Sequence, residues 1–63
     1  MRPVIKYDPA SDAAYIRLSE EAVVESAEVS ENLVLDYDEA GHIVGMELLN
    51  ARSQLSPSLL DVA

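Results

Sequence analysis

Residues 32–50, NLVLDYDEAGHIVGMELLN, carry the densest structural signal in the chain. Leu33, Leu35 and Tyr37 alternate with Val34 and Asp36, and beyond Asp38-Glu39-Ala40-Gly41 the residues Val44, Met46 and Leu48 alternate with Ile43, Gly45 and Glu47. Period-two alternation on both sides of a D-x-x-G turn predicts a β-hairpin. The aspartate bonds backbone just ahead of it, and the glycine takes the left-handed conformation that closes the loop. Closing the loop on residues 38–41 places Tyr37 opposite His42, Leu35 opposite Val44 and Leu33 opposite Met46. The bulky apolar side chains then share one face. A slip of one residue would bring Gly45 and Glu47 to that face, so the register is strongly specified.

Working outward, residues 3–7 (PVIKY) form a short strand with Ile5 and Tyr7 on one side and Val4 and Lys6 on the other. Pro3 lacks a ladder donor and suits a strand start or an edge. Residues 8–12 (DPASD) are turn chemistry, and residues 13–18 alternate again, pairing Tyr7 with Ala14 and Ile5 with Ile16. Residues 19–22 (SEEA) read either as a polar break or as a helix start. Val23-Val24 favours a strand over residues 23–29, whose inward face is ambiguous, as at an edge. Residues 30–32 make a turn in which Asn32 takes a left-handed conformation. After Asn50, a side chain able to cap a helix, residues 51–55 supply about one turn. Ser56-Pro57 starts a second segment over residues 58–62. Leu55, Leu59 and Leu60 then offer an apolar stripe to the sheet, the alternatives being a frayed tail or a partner contact. The expected architecture is one α+β, mainly β, domain over residues 1–63. It has a four- to five-stranded antiparallel meander sheet over about residues 3–50 and a short C-terminal helical segment over about 51–63.

A chain of 63 residues makes a small core, worth roughly 3–5 kcal/mol of net stability. No cysteine is present to form a disulfide or thiolate site, and one histidine does not make a nitrogen-rich zinc site. Association is the remaining stabiliser, and with 49% of residues hydrophobic a homo-oligomer, in the simplest case a dimer, is expected. Twelve acidic residues against four basic ones give a net charge of -8. Arg2, Lys6, Arg17 and Arg52 are scattered along the chain, so neither nucleic acid nor an anionic membrane is an expected partner. A basic protein partner fits the charge, which equally serves solubility. No apolar run approaches the roughly eighteen residues of a membrane span and no leader-like segment opens the chain, so the cytoplasm is the expected compartment.

Chemistry-bearing residues are few. Asp36, Asp38 and Glu39 crowd one turn and Asp8 and Asp12 the other, but D-x-D-E-x-G lacks the ligand series of a calcium loop. Their places are those that turn formation itself prefers. His42 is the one imidazole, without a nucleophile motif or a phosphate-binding glycine loop to work with. No catalytic residue, cofactor or metal is expected. Gly45, inside a strand and opposite Val34, marks either a bulge or a notch on the second face at which another surface approaches, with Tyr15 and Val4 flanking that face and Arg17 beside them. With Glu25, Glu28 and Glu47 it makes up the candidate interaction surface.

The spaced positions also resemble a family. Tyr7, Asp8, Asp12, Tyr15 and Ile16, then Val24, Glu25 and Ser26, then Asp36, Tyr37, Asp38, Gly41, Ile43, Val44, Gly45 and Glu47 match the pattern of the YuzE-like family of short bacterial proteins, a domain of unknown function. The likeness covers about residues 4–52 and leaves the tail outside. It implies no activity, cofactor or catalytic residue. Some relatives look like partners in toxin–antitoxin pairs, which implies a neutralising role toward a small basic toxin. The expected function is therefore a non-enzymatic protein-binding or self-associating module. An antitoxin-like masking protein is the alternative, and a minimal enzyme using Asp36, Asp38 and His42 is the remote one.

Overall fold

The computed structural model describes residues 2–61. Five strands, β1 (Val4–Asp8), β2 (Ala13–Arg17), β3 (Glu25–Ser30), β4 (Leu33–Tyr37) and β5 (Ile43–Leu49), form one antiparallel sheet, followed by two short helices, α1 (Ala51–Gln54) and α2 (Pro57–Asp61). The class is the expected one, but the strand order corrects a simple meander. It is β1-β2-β5-β4-β3, so β5 enters between β2 and β4, and residues 18–24 cross from β2 to the far edge. The reason lies in β5. It contributes Val44, Gly45 and Leu48, all buried, and a strand so apolar satisfies its backbone best with a neighbour on each side.

The first hairpin has the expected register, with Ile5 opposite Ile16 and Tyr7 opposite Ala14. The central one does not. Asp38 closes the loop with His42, donating its N–H to the His42 carbonyl at 2.9 Å, so Tyr37 faces Ile43. Val44 is then skipped as a bulge, and Asp36 faces Gly45, Leu35 faces Met46 and Leu33 faces Leu48. Two offsets of one residue, at the turn and at the bulge, add to a shift of two. Because side chains alternate with period two, the faces of Leu33–Asp36 and of Gly45–Leu48 come out as the alternation demands although the partners differ, whereas Ile43, expected on the face of Gly45 and Glu47, comes opposite Tyr37. The Val44 carbonyl accepts from the N–H groups of Leu18 (2.9 Å) and Ser19 (3.2 Å), which fastens the start of the crossover.

β3 begins later than residue 23. Val23 and Val24 precede it, both exposed, and the Val24 N–H donates to the Tyr37 carbonyl at 2.9 Å. Starting at Glu25 puts Ala27, the half-buried residue of β3, opposite Leu35. Asn32 does take the left-handed conformation, with φ 67°.

The helices lie over one face. Ala14, Leu48 and Ala51 form a buried cluster packed by Tyr7, Ile16, Leu33, Met46, Leu55 and Leu60. Leu59, expected in the apolar stripe, is exposed instead. Val62 lies outside the described residues. Asn50 occupies the position before α1 but makes no side-chain cap; its φ is 53°. The cap comes from the first hairpin. The Asp12 carbonyl accepts the Ala51 N–H at 2.9 Å, and the Asp12 carboxylate accepts the Arg52 N–H at 3.1 Å and the Tyr7 hydroxyl at 2.7 Å. Donating this hydrogen bond to Asp12 favours the neutral form of the Tyr7 phenol and raises its pKa above the ordinary value.

Candidate functional site

Direct pairing across five strands organises each face into rows. On the helix-bearing face, Tyr7, Ala14, Leu48 and Leu33 make the covered row. The next row, Ile5–Ile16–Met46–Leu35–Ala27, spans the whole sheet; each of its side chains is half-buried, and none is charged. Among the described residues, the nine in helices are too few to cover both rows. Among the described residues, the fully buried apolar side chains are Ala14, Val44, Leu48 and Ala51, of which two are alanines. A sheet with one apolar face needs a second layer over it, and here that layer is half complete.

The opposite, outer face is polar and braced. Its rows are Val4–Arg17–Gly45–Asp36–Ser26 and Lys6–Tyr15–Glu47–Val34–Glu28. The Tyr15 ring lies over Gly45, and its hydroxyl donates to Asp36 Oδ2 at 2.9 Å, while the Ser26 hydroxyl donates to Asp36 Oδ1 at 2.6 Å. One carboxylate thus ties β2, β4 and β3 together across the glycine of β5. Gly45 is therefore where a tyrosine closes down, and the notch expected there is filled from within the chain.

Of the four candidate surface residues, Gly45, Glu28 and Glu47 share the outer face, with Val34 between the two glutamates. Glu25 faces the other way, opposite Tyr37. The structure also assembles what the scattered positions of the basic residues concealed. Val4 pairs with Arg17 and Lys6 with Tyr15, so Lys6 and Arg17 stand at diagonal corners of one square on the outer face. A sequence signal existed: both lie an odd number of residues from the inward Ile5 and Ile16, and the correct hairpin register alone places them side by side.

The turn carboxylates are engaged in the backbone. Asp38 Oδ1 accepts the N–H groups of His42 (2.8 Å) and Ala40 (2.9 Å), and Gly41 takes φ 85°. The His42 N–H is the main reason the Asp38 pKa lies below the model-compound 3.8. A carboxylate with a lowered folded-state pKa contributes stability that is present above its unfolded pKa and lost as pH falls through the folded one. The Asp38 carboxyl carbon, followed by NMR, is expected to titrate below pH 3.8, and the Ala40 and His42 amides to move with it. The His42 side chain is 79% exposed, with Nδ1 3.4 Å from Asp38 Oδ2. Among the described residues, no three His, Cys, Asp or Glu side chains are grouped to hold a metal ion.

Residues 4–52 match the family described as protein of unknown function DUF2283. The chain belongs to this family. No match was found among curated proteins or among solved structures. The match names an uncharacterised family and does not carry the YuzE-like name. It ends at Arg52, the residue whose N–H Asp12 holds, so the first hairpin, the braced outer face and the start of α1 all lie inside the DUF2283 region, and α2 lies beyond it. Half of the positions that carry the resemblance are tied together here: Tyr7 with Asp12, Tyr15 with Gly45 and Asp36, Ser26 with Asp36, and Asp38 with Gly41 in the turn.

Proposed function

We propose that this DUF2283 protein, YuzE-like in kind, is a self-associating protein-binding module of the cytoplasm without turnover of its own. The observation that carries this is the half-open apolar row Ile5–Ile16–Met46–Leu35–Ala27. A second copy laid across it completes the missing layer. Both sheet edges are poor docking strands: β1 follows Pro3, and β3 carries Glu25 and Glu28 and is bulged between Glu28 and Ser30. Face-to-face packing therefore accounts better for the unpaired apolar surface than strand addition does. No helix of the described residues is long and apolar enough to cross a membrane.

Ile5 and Val4 are adjacent on an edge strand and point to opposite faces, which makes a matched test. Light scattering is expected to give twice the 6.9 kDa chain mass for the native protein and for Val4→Lys. Ile5→Lys should dissociate at least about tenfold more readily, since an ammonium would be buried at the contact. A native protein at 6.9 kDa at millimolar concentration, or equal masses for the two folded variants, would sink the proposal. Antitoxin-like masking of a basic toxin is the second reading. It rests on Glu28 and Glu47 flanking Val34 on one face, and it requires a basic partner captured from lysate and released by salt.

A further inference from the structure

We propose that Val4, Lys6, Tyr15 and Arg17 form a binding site for a small monocarboxylic acid with an apolar body. The four residues occupy one square of the outer face, with apolar and aromatic groups on one diagonal and the two cations on the other. Together they line a depression of about 280 Å³, near the lower end of the roughly 300–1,000 Å³ of small-molecule sites. A carboxylate above the centre of the square meets both cations, while its body rests on Val4, which is 44% exposed, and on the Tyr15 ring.

Three features separate this square from an ordinary solvated surface. First, its cations lack acidic partners among the described residues. Ion pairs among the described residues join His42 to Asp38 and Arg52 to Asp12; neither Lys6 nor Arg17 has a carboxylate within 4.0 Å, in a chain with twelve acidic residues and four basic ones. Second, the site is set before any ligand arrives. Tyr15 is held by Asp36, and Arg17 Nη2 donates to the Glu21 carbonyl at 2.6 Å, which fixes the guanidinium without neutralising it. Groups already ordered lose little entropy on binding, and the remaining guanidinium N–H groups are free to donate. Third, the neighbours select the charge. Glu47 lies opposite Tyr15 and Asp36 opposite Gly45, so a phosphate dianion or a polyanion meets two carboxylates where a single carboxylate is tolerated. The site lies on the face opposite the apolar row and does not depend on self-association.

The test is an NMR titration of the whole ¹⁵N-labelled protein with phenylacetate, with phenylacetamide, inorganic phosphate and a tetrapeptide ending in phenylalanine as comparison probes. Phenylacetate is expected to give saturable shifts centred on the amides of Val4, Lys6, Tyr15 and Arg17. The amide and phosphate should bind at least about fivefold more weakly. Lys6→Glu, on an exposed edge position, should weaken phenylacetate about tenfold, having lost one charge contact and gained one repulsion. An unchanged spectrum away from β1 and β2 would show that this variant is folded. Non-saturable or scattered shifts, equal binding of phenylacetamide or phosphate, or an unaffected Lys6→Glu would each overturn the proposal. Tighter binding of the tetrapeptide than of phenylacetate would overturn the small-acid assignment in favour of a chain end.

Discussion

Gly45→Ala is expected to lower the urea midpoint substantially, through a loss of about 2 kcal/mol of stability. A Cβ built at Gly45 overlaps the Tyr15 hydroxyl and stands 3.0 Å from the ring carbon that bears it, with the Ile16 carbonyl oxygen at 3.3 Å. The backbone oxygen cannot yield, because it belongs to the β2–β5 ladder. Tyr15 must therefore lift away, and Asp36 loses one of the two hydroxyls that it accepts. A buried overlap costs about 1–3 kcal/mol and a lost hydrogen bond to a charged group about 1.5–3 kcal/mol, with part of the second regained from water. Against a total of roughly 3–5 kcal/mol, such a loss is about half of what holds the domain together. The mechanism has its own check. Tyr15→Phe removes the hydroxyl that the new methyl would strike, so Gly45→Ala should cost less in that background than in the native chain. Strictly additive losses in the double-mutant cycle would mean that the glycine serves something other than the tyrosine.

Asp12→Ala is expected to release the C-terminal helices and destabilise the domain by about 2–3 kcal/mol. Asp12 serves three partners at once: the Tyr7 hydroxyl, the Arg52 N–H and, through its carbonyl, the Ala51 N–H. Its φ of 53° places that carbonyl, and alanine tolerates the left-handed region less well than aspartate. Amides of α1 should lose their exchange protection before those of β4 and β5, because the loss falls on the tail first. Asp12→Asn keeps both an acceptor and tolerance of positive φ, and should retain the helices at about half the cost. The same pair gives a spectroscopic readout. With the carboxylate gone, the Tyr7 phenol should titrate closer to its ordinary 10.0 by ultraviolet absorbance than it does in the native protein. If the tyrosine titration were identical in all three proteins, the bond that raises it would not be the one between Tyr7 and Asp12.

Both effects depend on contacts between residues far apart in the chain, and those are where sequence reasoning ran short. Alternation sorted Ile5, Ile16, Leu35 and Met46 onto one face and Lys6, Tyr15, Asp36 and Glu47 onto the other, because adjacent side chains of a strand must point oppositely. The turns were equally legible. Asp38 with Gly41, and Asn32 at positive φ, follow from side chains that bond their own backbone and tolerate the left-handed region. The partner list within the central hairpin was not legible, since the shift of two beyond the bulge leaves the faces of Leu33–Asp36 and Gly45–Leu48 unchanged, and the Val44 bulge, which brings Ile43 opposite Tyr37, has no mark of its own in the alternation.

The candidate surface shows the same division. Gly45 was readable as a place of close approach with Tyr15 on its face, but its partner is Asp36 and not Val34, and the tyrosine reaches it because β2 pairs with β5 after the crossover. Glu25, Glu28 and Glu47 looked alike as acidic residues, yet one face holds two of them and the other face the third. Lys6 and Arg17 are neighbours through the hairpin register that the alternation already specified, whereas Asp12 became the cap of a helix that starts 39 positions later.

By itself, then, the sequence determined the strands, their two-faced character, the local turns and the family of unknown function, all set by interactions within a few residues of chain. The tertiary structure decided the strand order, the brace across Gly45 and the half-open apolar row. Each of these depends on which strand lies beside which, and that choice comes from the summed burial and hydrogen bonding of the whole sheet.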